Sequence, residues 1–264
     1  MKIATFNINS INARIETFSN WLKKEHPEVV LLQEIKTDFN NFPFFELQIL
    51  GYEAKVLGQK SYNGVAVLSR HKMQVITEGL PQFEDENSRY LEVDIEYGAK
   101  KIRCISLYLP NGNPPYNNPD DNTKFDYKLK WMDALYMRLK ELKNCHIPII
   151  LGGDYNVILT KDDVYNVEEY KNNALYRKEV RERMNAILHL GYYDAFRLLN
   201  PVQNGYTFWD YSGGAWANDL GMRIDYFLLS PLIADKISKC WVDKSVRAEN
   251  KPSDHTPLIL ELSC

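Results

Sequence analysis

Two segments of the chain repeat one pattern: an amphipathic helix, a proline, a short apolar run and then an acidic residue. In the first, residues 13–25 (ARIETFSNWLKKE) precede Pro27, and the run VVLL at 29–32 leads into Gln33 and Glu34. An unbroken apolar run of this length is typical of a strand buried on both faces. A carboxylate at the rim of a core is costly unless water or a partner group satisfies it. The helical face of this unit carries Ile15, Phe18, Trp21 and Leu22.

The second unit is longer and ends in the same way. Residues 124–143 predict a helix, Pro148 follows, and the run IIL leads into GGDYN with Asp154 and Asn156. The repetition indicates two similar helix–strand units, each of which ends in an acid. The apolar stripe of the second helix consists of Phe125, Leu129, Met132, Leu135, Leu139 and Leu142.

Shorter runs with strand character lie between and after these units, bounded by Gly, Pro or Asn. A chain of 264 residues with 45% hydrophobic content can bury a large core, and no Gly/Ser or Pro/Ser linker divides it. We therefore predict one α/β domain over residues 1–264, with two packed β-sheets flanked by helices. The predicted strands are YEAKVLG, GVAVLSR, YLEVDIEYG, KKIRCISLYLP, RIDYFLLS, KISKCWVDKS and TPLILEL.

Composition narrows the class of protein. A formal net charge of −3 argues against a uniformly basic nucleic-acid binder, although it says nothing about a local basic patch. The four cysteines are scattered without zinc-ligand spacing, which indicates reduced thiols. The N-terminus alternates like a strand, and no apolar run approaches the length of a membrane span. These features predict a soluble, cytoplasmic protein with no membrane partner.

Polar groups stand at the ends of the predicted strands. Glu34, Asp154 and Asp225 are joined by Asp254 and His255 in PSDHTPLIL. Several carboxylates cannot sit together ionised without a cation, and oxygen ligands favour Mg²⁺, or Mn²⁺, over zinc. A site of this kind with one histidine nearby indicates hydrolysis of a phosphate ester. Neutral polar groups also end two further strands: Asn7, Asn9, Tyr108 and Asn111.

The motifs that carry these residues resemble those of a known family. FNINSINAR, LLQEIK, YLPNGN, GGDYNV, YTFWDY, RIDYFLLS and SDHTPL are similar, in order and across nearly the whole chain, to the exonuclease III family of apurinic/apyrimidinic (AP) endonucleases. The family belongs to the DNase I-like endonuclease/exonuclease/phosphatase superfamily. The resemblance implies a four-layer α/β sandwich.

The resemblance also implies roles for individual residues. Glu34 is the expected main Mg²⁺ ligand, with Asn7 and Asp254 as further metal-binding residues. Asp154 is expected to orient or deprotonate the attacking water, and Asn156 to hold that water or the phosphate. The remaining expected residues are His255, oriented by Asp225 and facing a phosphate oxygen, and Tyr108 and Asn111 on the opposite side of the phosphate.

Substrate choice is expected to depend on YTFWDY and GMRIDY. By resemblance, Phe208 and Trp209 line a pocket for an extruded, base-free deoxyribose, and Met222 stands where some members have Trp, which predicts a softer wall. Asn9 stands where some members have Asp, so we expect a single tightly bound metal. The predicted DNA contacts are Arg14, Lys36, Arg70, Lys72 and Arg223.

These observations predict a monomeric, Mg²⁺-dependent nuclease that cuts the DNA backbone 5′ to abasic sites. The predicted partner is double-stranded DNA with abasic sites or damaged 3′ ends, and 3′-to-5′ exonuclease or 3′-end cleaning is an expected further activity. One alternative keeps the metal site but acts on a phospholipid or inositol phosphate. A second alternative is a non-catalytic nucleic-acid-binding module. The loop NGNPPYNNPDDNT at 111–123, placed directly after a strand, has no assigned role.

Overall fold

The computed structural model describes residues 1–263. Two six-stranded mixed sheets lie face to face, and helices cover their outer faces. The strands are β1 Lys2–Asn7, β2 Val29–Gln33, β3 Glu53–Leu57, β4 Val65–Ser69, β5 Met73–Glu78, β6 Tyr90–Tyr97, β7 Lys100–Tyr108, β8 Ile149–Asp154, β9 Tyr193–Asp194, β10 Asp225–Leu229, β11 Ile237–Val242 and β12 Leu258–Leu262. The helices are α1 Ile11–Glu25, α2 Phe44–Ile49, α3 Thr123–Leu142, α4 Val167–Tyr170, α5 Lys178–His189, α6 Ala195–Leu199 and α7 Pro231–Ala234, with 3₁₀ turns at Phe39–Asn41, Lys161–Asp163 and Lys244–Ala248.

Each sheet contains one parallel pair of strands. The first sheet has the order β11-β12-β1-β2-β4-β3, and the second has the order β5-β6-β7-β8-β10-β9. β1 pairs with β2 in parallel through the crossover helix α1, and β7 pairs with β8 in parallel through α3. The two helix–strand units of the sequence are therefore the crossover halves of two parallel pairs, one in each sheet.

Three hydrophobic layers hold the strands and helices together. The central layer contains side chains from both sheets, such as Val29 and Leu31 of β2 and Ile150 of β8. The outer layers pack α1 on the first sheet and α3 with α5 on the second. Because side chains alternate along a strand, both faces of β2 are apolar, as its sequence predicts. The fold class predicted from the sequence, a four-layer α/β sandwich, is confirmed.

Two expectations from the sequence are wrong: one strand was missed, and two predicted DNA-contact residues lie away from Glu34. Strand β5 was not among the predicted strands, because it has no fully buried residue and its sequence gives only a weak apolar alternation. Arg70 and Lys72 follow the end of β4 that pairs with Val29, whereas the other end of β4 pairs with Gln33. These two cations therefore lie at the opposite end of the sheet from Glu34. Among residues 1–263, every helix is too short or too polar to span a bilayer.

Candidate active site

The strand ends of the two sheets meet on one edge of the sandwich. Asn7 lies opposite Gln33 at the carboxyl ends of β1 and β2. Tyr108 lies opposite Asp154 at the carboxyl ends of β7 and β8. Asp225 begins the antiparallel β10 directly opposite Asp154. The parallel pairing thus delivers polar side chains from both sheets to one place, which we call the strand-end site and define by Asn7, Glu34, Asp154, Asp225 and His255.

The loops that leave these strands have unusual backbone conformations. Asn9, Glu34, Lys36 and Asn156 have φ between +48° and +53°. This left-handed region costs a non-glycine residue about 1–3 kcal/mol, least for Asn. Backbone bonds hold the first two loops together, including one from the Ser10 N–H to the Glu34 carbonyl at 2.7 Å. The turns direct the Glu34 and Asn9 side chains toward the strand-end site.

A single amide joins the carboxylates of the two sheets. The fully buried Asn7 donates from Nδ2 to Glu34 Oε1 at 2.8 Å and to Asp154 Oδ2 at 3.0 Å. The second oxygen of Glu34 is 2.7 Å from the Lys36 ammonium, which also donates to Asn9 Oδ1 at 2.6 Å. Although burial opposes it, the Lys36 charge and the Asn7 bond lower the pKa of Glu34. Glu34 is therefore a carboxylate with two fixed oxygens.

His255 pairs with Asp225 as the sequence predicts. Its Nδ1 is 2.9 Å from Asp225 Oδ2, and its Nε2 is 3.7 Å from Asp154 Oδ2. Burial opposes the imidazolium, but Asp225 and Asp154 outweigh that effect and raise the pKa of His255 to about 10. Burial raises the pKa of Asp154 to about 7, with further contributions from Asp225 and Glu34 that His255 partly offsets. The site thus holds a protonated imidazole beside a carboxyl group poised near neutrality, the pairing that general acid–base chemistry uses.

Neutral polar groups form the second side of the site. Asn111 donates from Nδ2 to Asn156 Oδ1 at 3.2 Å, and the Asn156 N–H donates to Asp154 Oδ1 at 2.9 Å. Tyr108 lies close to Glu34 and Asp154, and burial together with these two charges raises the pKa of its hydroxyl. Tyr108, Asn111 and Asn156 therefore remain neutral hydrogen-bonding groups around the acids.

Phe208 lies beside the histidine. Its ring contacts the His255 ring edge-on with centroids 5.0 Å apart, and its backbone pairs with Met222. Phe208 is partly exposed, whereas Met222 is buried at 8% exposure. The two side chains share an apolar cluster, so they form an apolar wall next to the strand-end site.

Trp209 and Arg223 do not have the positions that the sequence predicted. Trp209 is fully buried, and its Nε1–H donates to Asp219 Oδ1 at 3.0 Å. Arg223 is also fully buried and forms ion pairs with Asp163 at 2.7 Å and Asp194 at 2.8 Å. Neither side chain reaches the surface, so Trp209 does not line a substrate pocket and Arg223 does not contact DNA. The acidic partners of Arg223 are distant in the sequence, which explains why the motif alone was misleading for this residue.

Other predicted residues are occupied by contacts within the chain. Asn9 donates to Asp254 Oδ1 at 3.0 Å, which brings Asp254 to the rim of the site. Arg14 donates to the carbonyl of Asn9, to the Tyr211 hydroxyl at 3.1 Å and to the Pro252 carbonyl at 3.2 Å. Arg14 therefore holds the loops of Asn9, Tyr211 and Pro252 together at this rim.

The donor set fits a hard divalent cation. Among residues 1–263, no group of three His, Cys, Asp or Glu side chains is arranged so that it could hold a metal ion by itself. Burial, together with the charges of Asp225 and Glu34, raises the pKa of Asp154, and the carboxylates of Glu34, Asp154 and Asp225 stand near one another with His255 as the cation among them. Oxygen ligands with remaining positions for water match the preference of Mg²⁺. The metal and its ligands Glu34, Asn7 and Asp254 stay a prediction.

Lys128 was not singled out from the sequence. It lies on α3 with 0% exposure, and its ammonium donates to the backbone of the two site asparagines, Asn111 and Asn156. The available signal was its spacing, because Lys128 falls within the apolar stripe between Phe125 and Met132.

A four-layer sandwich with acids, amides and a histidine at joined strand ends defines a class of phosphate-ester hydrolases. The model of the Endonuclease/Exonuclease/phosphatase family matches residues 4–255, and the chain belongs to this family. Exodeoxyribonuclease III of Haemophilus influenzae is 31% identical over 269 residues, covering 99% of each chain.

Two solved structures extend the comparison. A 3′ phosphatase from Neisseria bound to a product DNA hairpin has a TM-score of 0.94 and 34% identity, with 100% of both chains covered. An AP endonuclease from Archaeoglobus fulgidus has a TM-score of 0.92 and 32% identity, also with 100% of both chains covered. The predicted membership and the prediction of a hydrolytic nuclease are confirmed, which excludes a non-catalytic binding module.

Proposed function

We propose that the chain is a Mg²⁺-dependent DNA repair nuclease that hydrolyses the phosphodiester bond 5′ to abasic sites and acts as a monomer in the cytoplasm. The observation that carries the proposal is the His255–Asp225 pair set against Asp154, with Phe208 packed on the imidazole. The pair supplies the chemistry of phosphate hydrolysis, and the apolar wall supplies a surface for a sugar without its base.

The chain's own groups divide the work of the reaction. The imidazolium of His255 donates to a phosphate oxygen, whose negative charge grows during in-line attack. Asp154 accepts a proton from the attacking water or orients that water, and burial raises its pKa, which makes it a stronger base than an ordinary carboxylate. Asn156 holds the water or the phosphate, while Tyr108 and Asn111 donate from the opposite side.

The cation would be held by Glu34 together with Asn7 and Asp254, and Mn²⁺ is an acceptable substitute for Mg²⁺. It supplies Lewis-acid polarisation of the phosphate when bound. Glu34 suits the role of main ligand because its lowered pKa keeps it ionised at neutral pH.

A related activity on 3′ ends is the second candidate. The Neisseria protein with a TM-score of 0.94 is a 3′ phosphatase, and the Haemophilus relative is an exodeoxyribonuclease. Removing a 3′ phosphate or a 3′ nucleotide needs the same His255, Asp154 and metal groups, because each reaction is attack of water on phosphorus. Substrate geometry, rather than the chemical groups, separates these activities.

A gel assay with an abasic-site duplex tests the proposed function. We expect one cut 5′ to the abasic site with Mg²⁺, and loss of that cut with EDTA, because the acids need a cation to hold the phosphate. Parallel reactions contain a duplex with a 3′ phosphate, an undamaged duplex and sphingomyelin. Turnover of sphingomyelin without cleavage of the abasic duplex would favour the phospholipid alternative, and activity in EDTA would contradict the metal.

Phe208→Ala tests the apolar wall. We expect the ratio of cleavage at abasic sites to exonuclease cleavage of undamaged ends to fall about tenfold, since a change of a single methylene in an apolar pocket already alters discrimination roughly 10- to 200-fold. General cleavage should fall less, because the metal and the acids are unchanged.

The measured quantity is kcat/KM, determined once on the abasic-site duplex and once on the undamaged duplex. Phe45→Ala removes an exposed phenylalanine of α2, at 72% exposure, and serves as the control with an expected ratio equal to wild type. Equal losses on both substrates in Phe208→Ala would mean that Phe208 only supports the packing of His255.

A further inference from the structure

Lys128 is a lysine in the interior of the protein. It is 0% exposed, and it follows Phe125 by three residues and precedes Met132 by four, so it points to the same buried face of α3 as both. Lysine is almost never fully buried without compensation, because removing its charge from water is expensive. A buried ammonium in an apolar stripe therefore needs an explanation beyond helix packing.

The polar contacts of Lys128 lead to the strand-end site. Its Nζ donates to the carbonyl oxygen of Asn156 at 2.6 Å and to that of Asn111 at 3.0 Å. Burial lowers the pKa of Lys128 to about 7, and the charge of Asp154 opposes this effect. Two neutral acceptors are modest compensation for a buried charge, and the nearby negative group that favours the charged form of Lys128 is Asp154.

The two carbonyls belong to two different loops. Asn111 lies in the loop after β7 and Asn156 in the loop after β8, and their side chains bond to each other at 3.2 Å. The next residue, Gly112, has φ of +83°, and a Cβ there would lie 2.6 Å from Cδ of Lys128. The first loop thus closes tightly over the lysine stem, which fixes the ammonium between the two backbones.

We propose that Lys128 is a positioning residue that sets the spacing of Asn111 and Asn156 around the phosphate. This inference rests on the proposed function of the site. Lys128 cannot touch DNA because it has no exposed surface, so it acts through the two asparagines. Loss of the ammonium leaves two buried carbonyls without their donor, and the loops then lose the register that aims both amide side chains.

Lys128→Met tests the inference because Met keeps the unbranched apolar stem and removes the donor. We expect kcat on the abasic duplex to fall about 10- to 100-fold, while KM stays within about threefold of wild type, since the misplaced groups act on the bound phosphate. The slope of log kcat/KM against log salt concentration should not change, because a buried lysine releases no counterion on DNA binding. Lys128→Gln, which retains N–H donors without charge, should recover part of kcat.

Lys130→Met, an exposed lysine two residues later on α3, is the matched control and should match wild type in kcat and KM. The side-chain amide NMR signals of Asn111 and Asn156, measured without DNA, should shift in Lys128→Met and not in Lys130→Met. A folded Lys128→Met with wild-type kcat and unshifted signals would overturn the inference. If Lys128→Met does not fold, Lys128→Leu, which also lacks the donor, replaces it, and a folded Lys128→Leu with wild-type kcat and unshifted signals would overturn the inference equally. The two proposals can fail separately. If the signals shift in Lys128→Met but the wild-type protein fails to cut abasic DNA, the proposed function is contradicted and the positioning role remains supported.

Discussion

Glu34→Ala should reduce cleavage of an abasic duplex by a factor on the order of 10³ at ordinary Mg²⁺ concentration, because it removes the main anionic ligand of the cation. High Mg²⁺ or Mn²⁺ should restore part of the activity, since the expected ligands Asn7 and Asp254 remain. The fold should persist. Lys36 is partly exposed and can be solvated after its partner is lost, and Asp154 loses a neighbouring negative charge.

The measurement is a titration of initial rate against metal concentration for wild type and Glu34→Ala, with thermal unfolding followed by circular dichroism. Glu16→Ala, an exposed acid of α1, is the control and should behave like wild type. Full activity of Glu34→Ala under limiting metal would show that Glu34 holds no catalytic cation.

Asp225→Asn should lower kcat by about 10² to 10⁴, the range for a lost acid–base contribution. The carboxylate of Asp225 stabilises the imidazolium and so raises the pKa of His255. An amide has nearly the same shape but no charge, so the pKa of His255 must fall, and burial then favours the neutral imidazole. At neutral pH less of the enzyme carries the proton that His255 would donate to the phosphate.

His255→Asn should cost a similar factor, and the double variant little more than either single variant, because residues that act as one unit are not additive. Steady-state kinetics of the four proteins give the coupling directly, and an NMR titration of the His255 ring gives the pKa in wild type and in Asp225→Asn. His146, which is exposed, provides the internal reference signal. Additive losses, or an unchanged pKa of His255, would contradict the functional pairing.

Sequence patterns were sufficient for most of the fold. The face of Ile15, Phe18, Trp21 and Leu22 predicts α1, and the unbroken run VVLL predicts a strand buried on both sides; both elements are present. Local periodicity carries this information because helix and strand expose side chains at fixed intervals. β5 was missed because none of its residues is fully buried and its apolar residues do not alternate regularly with polar ones.

The site was predictable to the extent that it stands at strand ends. Glu34, Asp154 and Asp225 converge because parallel strands align their carboxyl ends and β10 starts where β8 stops. Long-range partners were not readable in the same way. Arg223 was predicted to contact DNA, but it forms ion pairs in the interior with Asp163 and Asp194, which are 60 and 29 residues away in the sequence.

Lys128 is a residue of the site region whose contacts could not be predicted from the sequence. Its place in the stripe of α3 is visible in the sequence, but its acceptors are backbone carbonyls, which every residue possesses. Side-chain identity therefore carries no signal of that contact.

The left-handed backbone conformation of Glu34 and Asn156 lowers the stability of the fold, but the proposed function needs the side chains at these two positions. Glycine has no Cβ, so it would relieve the steric strain at Glu34 and, to a smaller extent, at Asn156. Selection for thermal stability alone would therefore favour substitutions at these turns that remove the functional side chains. A thermostabilised version of this enzyme would have to gain its stability elsewhere, for example at exposed helix positions or in loops away from this edge, and keep the strained turns as they are.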